Sequence, residues 1–353
     1  MTSARSRRPT AALVAALAAV ALAACGGDGA SGGSDDARDP ADPSLRSVDA
    51  APGAGGTFAF EHSAGVTQVP LDPQRIATTT DQNALLPLLE LGITPVASAG
   101  LVADDGSQSF RRTEGFDTSG IEFLGAYGEP NFEAFAAADP DLIVGYEFDA
   151  DHYDTWSDIA PTALVQIFGR PLSDALVDFG TLVGREERAA ELRGDYEARI
   201  AELSAALEPV RHDLSVSVIT SGDPGQFWRA DDGQAIGTVM ADLDLPRPEP
   251  QSTGYFTSQD EPFSVETVAD HDADVVLVVD FRGDGQDPGF DALVGSPLYQ
   301  QLAASEADQA YVVDGTLTVG AAWARMDAFL DELEAILLAE DLDTTVVDEA
   351  AAR

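Results

Sequence analysis

Residues 173–207 contain no proline and carry Ala175, Leu176, Phe179, Leu182, Leu192, Tyr196, Ile200 and Leu203 at helical spacing, with dense charge between them. That pattern predicts one long helix, with Gly184 marking where it would break and Pro209 as its stop. A helix of this length in mid-chain divides the sequence, and both halves read as alternating strands and helices. The expected fold is α/β: two lobes joined by a single long helix, with a ligand cleft between them.

In the first half, Thr57-Phe58-Ala59-Phe60 alternates like a strand and 66–70 pairs with it as a hairpin. Further strands are expected at 75–79, 94–98, 121–124, 141–145 and 162–165. Helices fall at 82–91, N-capped by Asp81 and stopped by Gly92, and at 132–138 and 156–159. The second half has strands at 214–220, 273–279 and 310–313, and helices at 235–243, 297–304 and 321–338. An internal echo supports the two-lobe reading. Asn131-Phe132-Glu133 before Asp139-Pro140-Asp141-Leu142-Ile143-Val144 matches Ser264-Val265-Glu266 before His271-Asp272-Ala273-Asp274-Val275-Val276-Leu277.

The first residues bound the compartment. Arg5, Arg7 and Arg8 precede an apolar run over 11–24 that is too short to span a bilayer and ends in small residues, as a signal peptide does. Ser6-Arg7-Arg8 hints at twin-arginine export as well as the general route. Leu22-Ala23-Ala24-Cys25-Gly26 looks like a bacterial lipobox, in which the cysteine thiol takes a diacylglyceryl group and anchors the protein to the outer face of the membrane. Cys25 is the one cysteine, so no disulfide is available. Residues 26–56 hold almost nothing large and apolar and read as a flexible tether. The division is therefore 1–24 signal peptide, 25–56 tether, 57–172 first lobe, 173–209 linking helix, 210–340 second lobe and 341–353 acidic tail.

Nineteen basic residues, all arginine, stand against 62 acidic ones for a net charge of −43, which becomes −46 when residues 1–24 and their three arginines are removed. Such a surface repels nucleic acid and anionic lipid and suits a salty medium. His62, His152, His212 and His271 are scattered, with no ligand or triad spacing, no Gly-x-Ser-x-Gly elbow and no phosphate loop. Neither catalysis nor a bare-metal site is therefore expected.

The order and spacing of Arg75-Ile76-Ala77, Leu88-Leu89-Glu90-Leu91-Gly92-Ile93-Thr94-Pro95-Val96, Gly128-Glu129-Pro130-Asn131-Phe132-Glu133-Ala134, Pro140-Asp141-Leu142-Ile143, Phe263-Ser264-Val265-Glu266 and Ser296-Pro297-Leu298-Tyr299-Gln300-Gln301-Leu302 resemble the siderophore and cobalamin class of ABC-transporter substrate-binding lipoproteins, over nearly all of 57–338. The resemblance implies a monomer that captures a ferric siderophore without any cofactor and delivers it to an ABC permease with its ATPase. Cobalamin or haem is the alternative ligand on the same fold. Glu133 and Glu266 match the acidic docking residues, one per lobe, that meet permease arginines. The ligand residues expected at the strand ends are Tyr127, Tyr146, Trp228, Arg229, Tyr255 and Arg282. Trp323 joins them, partly replacing a pocket tryptophan that relatives carry where this chain has Leu317. Arginines would neutralise an anionic ferric complex and aromatics would pack on its flat arms. Arg111 and Arg112, on a Gly/Ser/Asp-rich loop, read as either rim or plain surface.

Overall fold

A computed structural model describes residues 56–103, 105–221, 225–229, 234–251, 262–282 and 289–351. The expected signal peptide, Cys25 and nearly all of the tether lie outside the described residues. The first lobe opens with the expected hairpin, β1 (Thr57–His62) against β2 (Gly65–Pro70). Its sheet is built from β3 (Ile76–Thr78), β4 (Ala97–Val102), β5 (Gln108–Ser109), β6 (Glu122–Ala126), β7 (Leu142–Tyr146) and β8 (Thr162–Val165). The spatial order is β5-β4-β3-β7-β8, with β6 pairing on β4; every pairing is parallel except β4 with β5. The connecting helices are α1 (Leu86–Glu90), α2 (Phe132–Ala137) and α3 (Tyr153–Ile159). Helices on both faces bury both faces of β7: Leu142 and Val144 enter the main core, while Ile143 packs with Leu124, Phe135 and Trp156.

Asp81 does not cap a helix as expected. Thr80 is the N-cap and uses no side chain, and residues Asp81–Leu85 form a π-helical turn running into α1. The Asp81 carboxylate has another partner, described below. Gly92 ends the segment with a positive φ, as expected.

The linking segment is two helices rather than one rod: α4 (Leu172–Leu182) and the 22-residue α5 (Glu186–Leu207). Gly184 takes the left-handed conformation at φ 66°, and the Arg185 N–H donates to the Gly180 carbonyl, so the chain turns back on itself. Arg193 of α5 thereby reaches Asp174 near the start of α4. The reason is burial. Leu172, Ala175, Leu176, Phe179 and Leu182 make α4 an inner helix, whereas α5 buries Ala189, Tyr196, Leu203 and Leu207 along a sparser stripe. A straight rod would strand one of the two faces in water.

The second lobe contains β9 (Val216–Ser221), β10 (Phe227–Arg229), α6 (Gln234–Leu243), β11 (Val275–Asp280), α7 (Phe290–Val294), α8 (Pro297–Gln300), α9 (Ala303–Glu306), β12 (Ala310–Asp314), α10 (Gly315–Thr318), α11 (Trp323–Leu337) and α12 (Val346–Ala351). Strand order is β10-β9-β11-β12, with β9, β11 and β12 parallel and β10 antiparallel at the edge. The two lobes share a single main core. It runs from Phe58 and Val69 of the hairpin through Leu142 and Val144, α4 and α5, to Met240 of α6, Phe329 and Leu333 of α11, and Val218, Val275 and Leu277 of the second sheet.

The internal echo has a structural cause. Asp141 ahead of β7 accepts the N–H groups of Gln74 (2.7 Å) and Arg75 (2.9 Å), at the start of neighbouring β3. Asp274 ahead of β11 does the same for β9, taking the N–H and hydroxyl of Ser215 at 2.8 and 2.6 Å. Each acidic turn thus fixes the register of two parallel strands. Asp274 also accepts the Val347 N–H, and Val346 is buried, so residues 341–353 include a docked helix rather than only an acidic tail. Because Asp274 is buried, Asp274→Ala leaves donors unsatisfied and is expected to cost about 2–3 kcal/mol in chemical denaturation. The more exposed Asp141→Ala is expected to cost about 1 kcal/mol; equal costs would argue against the capping account.

Burial raises the carboxyl pKa values of Glu90, Asp178, Asp242, Asp272 and Asp327. Each group binds its proton more readily in the folded chain than in the unfolded one, so folding gains as pH falls from neutrality through those raised values. The exposed Asp105, Asp117 and Asp343, pulled down chiefly by hydrogen bonds from Ser107, Ser119 and Thr345, act in the opposite sense at lower pH. The thermal midpoint is expected to rise as pH is lowered from neutrality toward the ordinary carboxylate range, and to fall below about pH 4. A midpoint that drops steadily from neutrality would contradict this.

Candidate functional site

In open α/β sheets the crevice beyond the carboxyl ends of the parallel strands is where ligands sit. At the end of β3, Asp81 is fully buried and accepts four hydrogen bonds. Arg111 gives it Nε at 2.9 Å, Nη2 at 2.6 Å and its own backbone N–H at 2.8 Å, and Gln82 gives an N–H at 2.9 Å. Burial works against the Arg111 cation, but the paired carboxylate outweighs it and pushes the guanidinium pKa up. The same guanidinium lies 3.9 Å above the ring of Tyr127, which follows β6 and is tied by its N–H to Gly100 of β4. Arg111 is therefore a built part of the cleft wall, and Tyr127 is held flat beneath it.

Tyr146 ends β7 beside this pair. Burial first, and then the charges of Asp149 and Glu147, push its phenol pKa up to about 12, with Arg111 opposing. The hydroxyl stays protonated, a donor rather than a phenolate. The turn that follows, Glu147–His152, presents Phe148 at 55% exposure. Phe148 lies 5.3 Å from Tyr146 and stacks on Phe168, the residue following Ile167 beyond β8, at 5.2 Å with 6° between planes. Sequence reasoning missed both phenylalanines, although Phe148 lies two residues beyond the end of β7 and Phe168 three beyond the end of β8.

In the second lobe, Trp228 is half-buried on β10, opposite Thr220 near the end of β9. The seam between the lobes is hydrogen-bonded. Ala321 N–H reaches the Gln82 carbonyl (2.9 Å), and Gln234 bridges Asn83 and Gly320. Gly320 is at φ 110°, and a Cβ there would stand 3.2 Å from the Gln82 oxygen, so a side chain would prise the seam apart. Glu90 of α1 caps α11, accepting the N–H groups of Trp323 (2.8 Å) and Ala324 (2.9 Å). One turn on, Arg325 hydrogen-bonds the carbonyl of exposed Leu317. Burial, and after it the neighbouring Arg112 cation, pull the Arg325 guanidinium below its usual range against Glu114 and Glu90. Arg112, Glu114 and Glu90 thus surround Arg325 with charge of both signs at the seam.

One expected ligand residue is placed otherwise. Trp323 is 3% exposed and packs on Tyr196 of α5, because the α11 start is the point where that helix enters the core. Arg282 is exposed at the end of β11, where Asp280 and Asp291 hold it at 2.7 Å each and it lies over the Phe290 ring. Tyr255 lies outside the described residues, and for Arg229 only the backbone on β10 is described. Glu133 and Glu266 are both exposed in the first turn of a short helix leading to a central strand, after Asn131 and Ser264 respectively; a hydrogen bond from Ser264 holds the Glu266 carboxyl below its usual range. Among the described residues, no group of three or more His, Cys, Asp or Glu side chains could hold a metal ion. No helix among them is long and apolar enough to cross a membrane.

Over 294 residues the chain is 26% identical to the probable siderophore-binding lipoprotein YfiY of Bacillus subtilis (strain 168), covering 80% of this chain and 88% of that protein. It is 27% identical over 291 residues to the ferric enterobactin-binding periplasmic protein FepB of Escherichia coli O6:H1, covering 78% and 89%. Among solved structures, Staphylococcus aureus SirA complexed with staphyloferrin B superposes with a TM-score of 0.68 at 21% identity, over 81% of this chain and all of that one. Bacillus subtilis FeuA complexed with ferri-bacillibactin gives 0.65 at 21% identity, over 81% and 99%. These likenesses show the two-lobed fold. Residues 76–317 match the profile of the periplasmic binding proteins, a class that binds solutes and hands them on, and the chain belongs to that family.

Proposed function

We propose that the protein captures a ferric siderophore outside the cytoplasm and passes it to an ABC importer, performing no turnover of its own. The observation that carries this reading is the match, along about four-fifths of the chain, to proteins named for siderophore binding. The cleft chemistry supports it. Arg111 and Arg325 offer cations to an anionic chelate, and Tyr127, Tyr146 and Trp228 offer ring faces and a hydroxyl donor. Tyr146 offers a phenol hydroxyl as a donor at the end of β7. Arg229 and Tyr255 remain candidates for the same wall.

Capture is followed by docking. Glu133 and Glu266 are the paired exposed carboxylates that would meet permease arginines, one from each lobe, setting orientation and speeding encounter. The protein acts as a monomer held to the membrane through a lipid on Cys25, after removal of residues 1–24.

Titration of the purified protein with ferric siderophores, cobalamin and haemin should give its tightest tryptophan quenching with a ferric siderophore. Tight cobalamin or haemin binding with none for any ferric siderophore would refute the reading. In cells, a Glu133→Ala, Glu266→Ala double variant should keep its ligand affinity but lose most uptake, and Cys25→Ser should shed the protein from the membrane. Full uptake by the double variant would end the docking assignment, and a membrane-retained Cys25→Ser would end the anchoring one.

A further inference from the structure

The turn carrying Phe148 is held more firmly than a surface loop needs to be. The Glu147 carboxylate accepts the N–H groups of Ile167 (3.0 Å) and Phe168 (2.7 Å), clamping the end of β7 to the chain leaving β8. The Asp149 carboxylate takes the Thr79 hydroxyl at 2.6 Å and the Tyr146 N–H at 3.2 Å, clamping the same turn to β3. Both carboxylates are pushed up in pKa by burial, so this bracing has a desolvation cost. What the bracing presents is an aromatic ring, parallel to Phe168 behind it and 55% exposed in front. Within one ring's reach stand the Tyr146 hydroxyl and, beyond it, the Arg111–Tyr127 stack.

Resting on the ferric-siderophore reading above, we infer that the ligand carries aromatic chelating arms, catecholate or phenolate, and that Phe148 selects for them. An aryl arm laid on Phe148 extends an existing two-ring stack and turns its oxygens toward Tyr146 and the guanidinium. Parallel offset rings gain attraction beyond the area they cover. A hydroxamate or hydroxycarboxylate arm has no ring face to offer, and would leave Phe148 against water or a methylene chain. The pattern is selective because the platform is fixed before the ligand arrives, so little ordering remains to be done on binding.

The test uses the whole protein and four probes: ferric enterobactin and ferric pyochelin, which carry aryl arms, and ferrioxamine B and ferric citrate, which do not. Ferric citrate is the control for negative charge alone. At least one aryl complex should bind about tenfold or more tighter than both aryl-free ones, and Phe148→Leu, which keeps apolar bulk at an exposed position, should weaken that aryl complex about tenfold. An aryl-free complex that binds as tightly as the tighter of the two aryl ones, or a Phe148→Leu variant with wild-type affinity for its aryl ligand, overturns the inference while leaving siderophore capture standing. Failure of every ferric complex to bind removes the underlying reading, and this inference with it.

Discussion

The two sheets are sealed against one apolar layer, and everything at the crevice depends on that. Leu172, Leu176 and Phe179 of α4, Tyr196 and Leu203 of α5, Met240 of α6 and Phe329 and Leu333 of α11 belong to a core that contains residues of both lobes. Swinging the lobes apart would expose this layer, at roughly 2–3 kcal/mol for each large side chain uncovered. A micromolar ligand contributes about 8 kcal/mol in all. Uncovering four such side chains would consume the whole binding energy, so capture must work by small adjustments of the crevice walls. The seam adds to this restraint through Glu90 on the α11 N-terminus and Gln234 between Asn83 and Gly320.

The polar groups of the crevice follow from the same rigidity. A buried ion pair such as Asp81–Arg111 gains little net stability once desolvation is counted. Its effect is positional: four hydrogen bonds converge on Asp81 and fix the guanidinium over Tyr127. Phe148 is fixed in the same manner by Glu147 and Asp149. Carboxylates that look on paper like part of an undifferentiated acidic surface turn out to be the struts of the site.

That explains how far the residues alone could be read. Periodicity located the hairpin, β7, β8, β11, β12 and α11 nearly to the residue, since burial against a shared core is a pattern of the local chain. The repeat around Asp141 and Asp274 was legible because each aspartate serves strands adjacent to its own. Asp81 was not, because its partner lies 30 residues away on a loop without periodicity. The break at Gly184 was legible in the linking segment, but the reversal there was not, because helical spacing continues on both sides and says nothing about the direction of the second helix. Trp323 was assigned to the pocket as a stand-in for the tryptophan that relatives carry at the position of Leu317, and is claimed instead by Tyr196. Position along a strand places a side chain near the crevice; only its competing partners decide whether it is available there.

A chain at −43 that is proposed to take an anionic chelate presents an electrostatic conflict, and the geometry resolves it by distance. At physiological ionic strength the screening length is about 8 Å, so surface carboxylates farther off contribute little at the strand ends. What acts there are the groups in contact. Arg111 has its charge matched by Asp81, and Arg325, drawn down in pKa chiefly by burial, has Glu114 and Glu90 as well as Arg112 acting on it. Rising salt strips away the long-range penalty of the acidic surface sooner than it weakens the contacts inside the cleft.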